Sequence, residues 1–289
     1  MKNIAVVGAT GYLGVFICQS LREQGYKVRC LARSEKKLID EGISPESIRV
    51  VDFTSPSSLE GQLVDIDCVI SCLGITRQKD GLSYMDVDYQ CNANVLDEAV
   101  RADVKKFIYV SVFRGELLKD VDLCNAKEHF VDYLKQSGLA HCVVRPTGFF
   151  SDMQEFLDMA RKGRVYLFGD GSKKLNPIHG KDLADVIVDS INKGEAVMEV
   201  GGPQVFSHKE ISELAFDSLG INHKTALIPD CFRRLVLWAG KRLLSESTFG
   251  PVEFFLTVMA HDMVAPSHGH RTLAEYFEQL NTKSAEINL

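Results

Sequence analysis

The chain has 289 residues, 45% of them hydrophobic and 25% charged, which is enough apolar material for a large core. A net charge of −6 with well-mixed signs excludes the basic footprint of a nucleic-acid-binding protein, and no run of about 18 apolar residues is present to span a bilayer. The eight cysteines, among them Cys18, Cys30, Cys68, Cys72 and Cys142, mostly lie in apolar stretches and show neither Cys-x-x-Cys pairs nor zinc-ligand spacing. They read as reduced core thiols of a cytoplasmic protein with no metal site. A strand signal begins within the first residues, so no signal or transit peptide is expected.

The first strand is expected over 3–7. It feeds directly into Gly8-Ala9-Thr10-Gly11-Tyr12-Leu13-Gly14, and a helix over 12–24 follows with Leu13, Phe16, Ile17, Ser20 and Leu21 on one face. A strand entering a glycine turn that opens a helix is the context a dinucleotide-binding turn requires. Gly8 permits the tight turn, Gly11 lets the backbone approach a pyrophosphate, and Gly14 lets helix and strand pack closely. The helix N-terminus offers free N–H groups and a partial positive charge to phosphates. Further strands are expected over 27–32, 48–52, 67–72, 106–112 and 140–145, with helices over 34–41, 57–63, 83–103 and 122–137 between them. Ser34 precedes the second helix, and Ser55-Pro56 opens the third with proline at a tolerated first position. This alternation predicts an α/β fold, a doubly wound parallel Rossmann sheet with right-handed crossovers.

After Pro146 the rhythm loosens. The pattern predicts a helix from Phe149 to Lys162, a strand from Val165 to Phe168, a turn at Gly169-Asp170-Gly171 and a helix from Asp182 to Asn192. A strand follows over Val197 to Val200, then a capping box at Ser207-His208-Lys209-Glu210, then largely helical, aromatic-rich sequence over 229–263. The division expected is a dinucleotide-binding core over 1–150 and a smaller, mostly helical substrate lobe over 151–289. The two are interleaved, because about 178–201 returns to the sheet. The amphipathic stretch from Phe232 to Leu244, with Arg233, Arg234, Lys241 and Arg242, reads as a helix packed on its own protein rather than on a membrane surface. His268-Gly269-His270 has no carboxylate or cysteine cluster beside it and reads as a solvated loop.

Cofactor choice is read at the end of the second strand, where a carboxylate would hold the ribose 2′-OH of NAD and arginine would accept the 2′-phosphate of NADP. The chain has Leu31-Ala32-Arg33-Ser34 with Lys36 and Lys37 close behind, which favours NADP over NAD. The other reading is that these cations cap a solvated helix start. Asp52 could accept a hydrogen bond from the adenine amino group with Phe53 covering the ring, or serve only as a turn residue. Ser71-Cys72-Leu73-Gly74 ends the fourth strand with small residues over which a cofactor can pass.

These residues, with Ser111 after Phe107-Ile-Tyr-Val, resemble the atypical short-chain dehydrogenase/reductases over about residues 1–220. Within them the chain is most similar to the divinyl chlorophyllide 8-vinyl reductase-like and NmrA-like members. That likeness rests on Asp88-Tyr89-Gln90 with Asn94, Ala126-Lys127, Val144-Arg145-Pro146-Thr147 with Phe149-Phe150, Phe168-Gly169-Asp170-Gly171, Pro177-Ile178, Asp182-Leu183-Ala184 and Gly201-Gly202-Pro203. The resemblance implies Lys127 as the active-site lysine holding the nicotinamide ribose, Ser111 as a hydrogen-bond donor near the nicotinamide, and Pro146, Thr147 and Phe149 running beside it. It also exposes a departure. The family's acid is a tyrosine four residues before the lysine, on the same helical face, and that position is Leu123. The expectation is therefore an NADP-dependent reductase of a conjugated double bond on a bulky apolar substrate, with no nucleic-acid partner. The alternative is a non-catalytic NAD(P)-binding sensor or assembly protein.

Overall fold

A computed structural model of the chain describes residues 2–75 and 81–287. Short apolar runs punctuated by glycine turns build the first half as β1 (Asn3–Val7), α1 (Tyr12–Glu23), β2 (Lys27–Ala32), α2 (Lys36–Asp40), β3 (Ile48–Val50), α3 (Pro56–Leu59) and β4 (Cys68–Ser71). A wide-turned π-helical segment, Met85–Cys91, runs into α4 (Asn92–Arg101), followed by β5 (Lys106–Val110), α5 (Asp122–Gln136) and β6 (Ala140–Pro146). The second half holds α6 (Phe150–Arg161), β7 (Val165–Phe168), β8 (Lys174–Leu175), α7 (Gly180–Asp189), β9 (Val197–Val200), β10 (Phe206–Ser207), α8 (His208–Leu219) and β11 (Thr225–Ile228). Three helices complete it: α9 (Asp230–Leu243), α10 (Glu246–Val258) and α11 (Leu273–Ile287).

Seven strands form one parallel sheet in the order β3-β2-β1-β4-β5-β6-β9. The order reverses between β1 and β4, which opens a crevice at their carboxyl ends where this fold places ligands. Successive side chains of β1 point to opposite faces. Ile4 and Val6 pack with Ile17, Leu21, Leu183 and Ile187 beneath α1 and α7. Ala5 and Val7 pack with Val95, Leu96, Phe107 and Phe130 beneath α4 and α5. β9 comes from the second half of the chain and pairs with β6, so part of that half belongs to the main sheet. A separate core of Phe150, Phe156, Leu167, Ile211, Phe216 and Phe277 joins α6, α8 and α11 with β7. Two small sheets, β10–β8 and β11–β7, complete this region.

Several local expectations change. β3 stops at Val50, which leaves Asp52 in the following loop. Ser34 does not cap α2, which begins at Lys36 with Glu35 in the cap position. The strands at 174–175, 206–207 and 225–228 and helix α11 were not anticipated. Two-residue strands carry no periodicity to read. The capping box at Ser207 is present: its hydroxyl accepts the Glu210 N–H at 3.2 Å, and the Glu210 carboxylate accepts the Ser207 N–H at 2.6 Å. The cysteines are free, and all but the exposed Cys231 are at least partly buried. The stretch from Phe232 to Leu244 is packed on one side only: Arg233 and Gly240 are buried, while Phe232, Leu235 and Trp238 are exposed. Among the described residues no helix is long and apolar enough to cross a membrane.

Candidate dinucleotide site

The glycine turn lies at the crevice. Gly8 has φ +82°, a left-handed conformation that favours glycine, and its carbonyl accepts the Gly11 N–H at 2.9 Å. A Cβ on Gly14 would stand 2.3 Å from the Gly8 carbonyl oxygen, so only glycine lets α1 approach β1 this closely. A Cβ on Gly11 would meet only that same oxygen, at 3.2 Å, and would otherwise project into open space. Gly11 is the N-cap of α1 and gives it no side-chain cap, so the first N–H groups of the helix remain for an incoming anion. Leu13 is buried in the core behind the turn. Tyr12 turns the other way: its hydroxyl accepts the Gly180 N–H at 3.2 Å and its ring stands edge-on to Phe149 at 5.7 Å. Burial pushes the Tyr12 phenol up to about 12 despite that backbone hydrogen bond.

From this turn a cavity of about 330 Å³ runs across the sheet edge. Of the residues singled out in the sequence it brings together Gly8, Thr10, Gly11, Arg33, Asp52, Phe53, Leu73 and Gly74. Arg33 stands at the end of β2. Lys37 does not line the cavity; its ammonium donates to the Thr10 carbonyl at 2.6 Å and steadies the turn from outside. Asp52 is exposed, and its Oδ1 accepts from the Thr54 hydroxyl at 2.7 Å and the Thr54 N–H at 2.9 Å, which hold its carboxyl below the usual range. Phe53 is buried among Leu31, Leu59 and Val95 and also lines the cavity. Thr54, Ile75, Leu82, Val87 and Cys91 also line it. Sequence reasoning missed these, because the last three come from beyond β4 and no local motif links them to the turn.

Beyond Gly74 the character changes. The Lys127 ammonium on α5 lies 2.9 Å from Asp88 Oδ1; Asp88 is fully buried, and the Lys127 side chain is 12% exposed. A Cβ on Gly74 would lie 2.4 Å from Asp88 Oδ1 and 3.0 Å from Lys127 Nζ, so the pair sits directly against the strand end. Burial alone would lower the lysine, but the Asp88 carboxylate and the Tyr109 hydroxyl more than reverse this, and Lys127 is held charged. Burial raises the Asp88 carboxyl, with Lys127 and the Ile75 N–H, which donates to Oδ2 at 3.1 Å, opposing it. The Tyr109 ring lies under the ammonium at 5.4 Å. Of Asp88-Tyr89-Gln90, then, it is Asp88 that reaches Lys127. Tyr89 packs edge-on to His129 and Tyr133, and Gln90 donates to Asn94 at 2.9 Å.

Leu123, one turn before Lys127, is buried with Tyr84, Val121 and Cys124. Ser111 is also buried and donates to Glu128 Oε1 at 3.0 Å, and Arg145 grips that carboxylate through two bonds of 2.7 Å. Ser111, Lys127, Pro146, Thr147 and Phe149 are outside the cavity lining. Thr147 donates to the Asn176 carbonyl at 2.6 Å, and Phe149 bridges to Ile178 where β6 meets the second half of the chain. Among the described residues no group of histidine, cysteine and carboxylate side chains could hold a metal ion. His270 is tied instead through its N–H to Asp182 at 3.1 Å. The residues fit a dinucleotide: the turn is glycine where a Cβ would close it, phosphate-ready N–H groups face the crevice, and a buried ammonium waits at the far end.

A family model described as NAD(P)H-binding matches residues 8–194. Divinyl chlorophyllide a 8-vinyl-reductase of Arabidopsis thaliana is 27% identical over 255 residues, covering 78% of this chain, which spans 60% of that relative's length. Photosystem II assembly factor Ycf39 of Cyanophora paradoxa is 27% identical over 308 residues, covering 99% of this chain and 95% of that protein. Among solved structures, the NADPH-dependent quinone oxidoreductase of Escherichia coli in complex with NADPH matches with a TM-score of 0.74 at 17% identity, covering 96% of this chain and 99% of that one. At that identity the likeness shows the fold.

Proposed function

The chain belongs to the NAD(P)H-binding family, and from that premise we propose that it is an NADP-dependent reductase that adds hydrogen across a conjugated carbon–carbon double bond of a bulky apolar substrate. One observation carries this reading: the largely buried Lys127 is retained beside Gly74 while the position one turn before it is the apolar, buried Leu123. Carbonyl reduction needs a donor that protonates a developing alkoxide, and Leu123 has no proton to give. Reduction of a conjugated double bond places hydride on one carbon and a proton on another, and water can supply that proton. The cofactor, when bound, supplies the hydride.

In this reading the turn from Gly8 to Gly14 takes the pyrophosphate and Arg33 pairs with the 2′-phosphate. Thr10, Asp52, Phe53 and Leu73 surround the adenosine half. Lys127, oriented by Asp88, donates to the nicotinamide ribose, and Pro146, Thr147 and Phe149 border the nicotinamide. Ser111 acts through the Glu128–Arg145 pair as a positioning residue. Divinyl chlorophyllide a, named for the relatives, is the first substrate to test. Incubation with NADPH deuterated at the transferable position should give a reduced vinyl group carrying one deuterium, read by mass spectrometry. Tight NADPH binding with no turnover of this or other conjugated apolar compounds would reject the reductase. A second reading, a non-catalytic NAD(P)-binding assembly protein, is favoured by the near full-length match to the Ycf39 relative and by Leu123 itself, and that outcome would leave it standing.

A further inference from the structure

The outer face of α9 is apolar and covered by nothing among the described residues. Phe232 is 54% exposed, Leu235 56%, Val236 43%, Trp238 57% and Leu243 78%, and the next residue, Leu244, is 52% exposed. At 100° per residue these side chains of α9 fall on one arc. The opposite side is anchored: Gly240 lies so close to Phe249 of α10 that a Cβ would stand 2.0 Å from its ring, and Arg233 donates to the Leu256 carbonyl at 3.2 Å. The helix is therefore held in place with its hydrophobic face outward.

Cations sit at the border of that face. Arg234 is exposed beside its partner Asp230, whereas Lys241 is engaged by the protein: its ammonium pairs with the buried Glu253 at 2.5 Å and donates to the Asp120 carbonyl at 2.6 Å. The Arg242 guanidinium lies 4.6 Å over the Trp238 ring. The chain as a whole carries −6, so a local excess of positive charge around an apolar arc runs against the overall balance. Asp230, the one carboxylate on this helix, is shared by Arg233 and Arg234, and Glu253 of α10 takes Lys241, so the four cations of α9 meet two carboxylates and a positive excess remains.

We propose that α9 docks this protein on an anionic lipid surface, lying in the interfacial plane with Phe232, Leu235, Trp238 and Leu243 buried and Arg234 and Arg242 at headgroup level. Charge is what points to lipid. A phosphate-bearing surface complements the exposed guanidinium groups of Arg234 and Arg242 beside the apolar arc. The placement also suits an apolar substrate. The partner helix α10 packs against Tyr84, just before the π-helical segment that carries Asp88, and Lys241 reaches the loop leading into α5. Lipid under α9 would therefore lie close to the Lys127 end of the cleft. The proposal stands on α9 alone and holds for either reading of the function.

Trp238 is the chain's single tryptophan, so it reports on this face without labelling. The full chain is mixed with vesicles of phosphatidylcholine alone, or of phosphatidylcholine with phosphatidylglycerol, and Trp238 emission and co-sedimentation are followed. The expected result is a blue shift, quenching by brominated acyl chains and co-sedimentation with the phosphatidylglycerol vesicles, all weaker with phosphatidylcholine alone. The double variant Phe232→Asp/Leu235→Asp keeps the tryptophan and should weaken partitioning by about tenfold or more while leaving NADPH binding intact, which also reports that it is folded. The single variant Arg242→Glu should weaken binding to anionic vesicles selectively. Unchanged emission and protein left in the supernatant with both vesicle types would overturn the proposal. So would a concentration-dependent blue shift without lipid together with a dimer in sedimentation velocity, since that outcome assigns the face to a second copy.

Discussion

At the β1 end of the cleft, the fit to a dinucleotide rests on backbone: Gly8 in a left-handed turn, Gly14 where a Cβ would collide, and uncapped N–H groups at the start of α1. At the β4 end it rests on buried charge, Lys127 against Asp88 beneath Gly74. The first end tolerates no added atom at Gly14 but asks little of distant residues. The second depends on two side chains far apart in sequence, each costly to bury without the other. Errors at the two ends should therefore fail in different ways, steric at one and electrostatic at the other.

The sharpest way to break this contrast is at the charged end. Asp88→Ala leaves the Lys127 ammonium buried and unpaired, and is expected to cost about 3–5 kcal/mol of stability. The double variant Asp88→Leu/Lys127→Met should recover most of that loss yet bind NADPH poorly. Chemical denaturation of both reads the coupling, and a single variant as stable as wild type would mean the pair is not held as a buried ion pair. At the backbone end, Gly14→Val forces a Cβ to 2.3 Å from a main-chain oxygen and should destabilise the protein by about 1–3 kcal/mol or more. Thermal unfolding should show this as a clear fall in Tm.

Gly11→Val is the complementary test. Its Cβ meets the protein only at 3.2 Å, so the chain should fold with little loss while calorimetry shows dinucleotide binding abolished. Retained tight binding in a folded Gly11→Val protein would mean that the turn is structural only. The smallest expected effect is at Arg33, where wild type should prefer NADPH over NADH by at least several-fold, roughly 1 kcal/mol. Arg33→Asp should reverse that order, and equal affinities in wild type would remove the assignment to NADP.

The same contrast decided what could be read from the sequence. The backbone end was readable because its signals are local: apolar Ile4 to Val7, three glycines at fixed spacing and the stripe of Leu13, Ile17 and Leu21 lie within one βα unit. The sheet followed from the alternation of such units, and β9 was anticipated as a late return. At the charged end the family resemblance supplied Lys127 and the run Asp88-Tyr89-Gln90, but not which of those three reaches the lysine, since that is set by the turn of the helix and not by a local motif; Asp86, two residues earlier, accepts from the Ser83 hydroxyl at the surface. The buried Ser111–Glu128–Arg145 network is likewise assembled from two strands and a helix. Which face of α9 packs on the protein was not legible for a related reason. Amphipathicity states that a helix has an apolar side, and only the packing of α10 shows that the opposite side is the one anchored.

The π-helical segment before α4 has a consequence for register. An ordinary helix advances 100° per residue, so from one end to the other its side chains keep a single phase. Over Met85–Cys91 the wider turn accommodates one residue more than an α-turn would, and the Asn92 amide donates to the Val87 and Asp88 carbonyls within it and to the Leu73 carbonyl beyond β4. Upstream and downstream residues are thereby out of phase. Val95, Leu96 and Ala99 keep their stripe against the sheet, while Asp88 is swung toward α5 and Lys127. Deleting one residue from this segment would restore a uniform helix, preserve the apolar stripe and carry the carboxylate about a quarter-turn away. The meeting of Asp88 with Lys127 thus depends on the wider turn of a helix that otherwise serves the core.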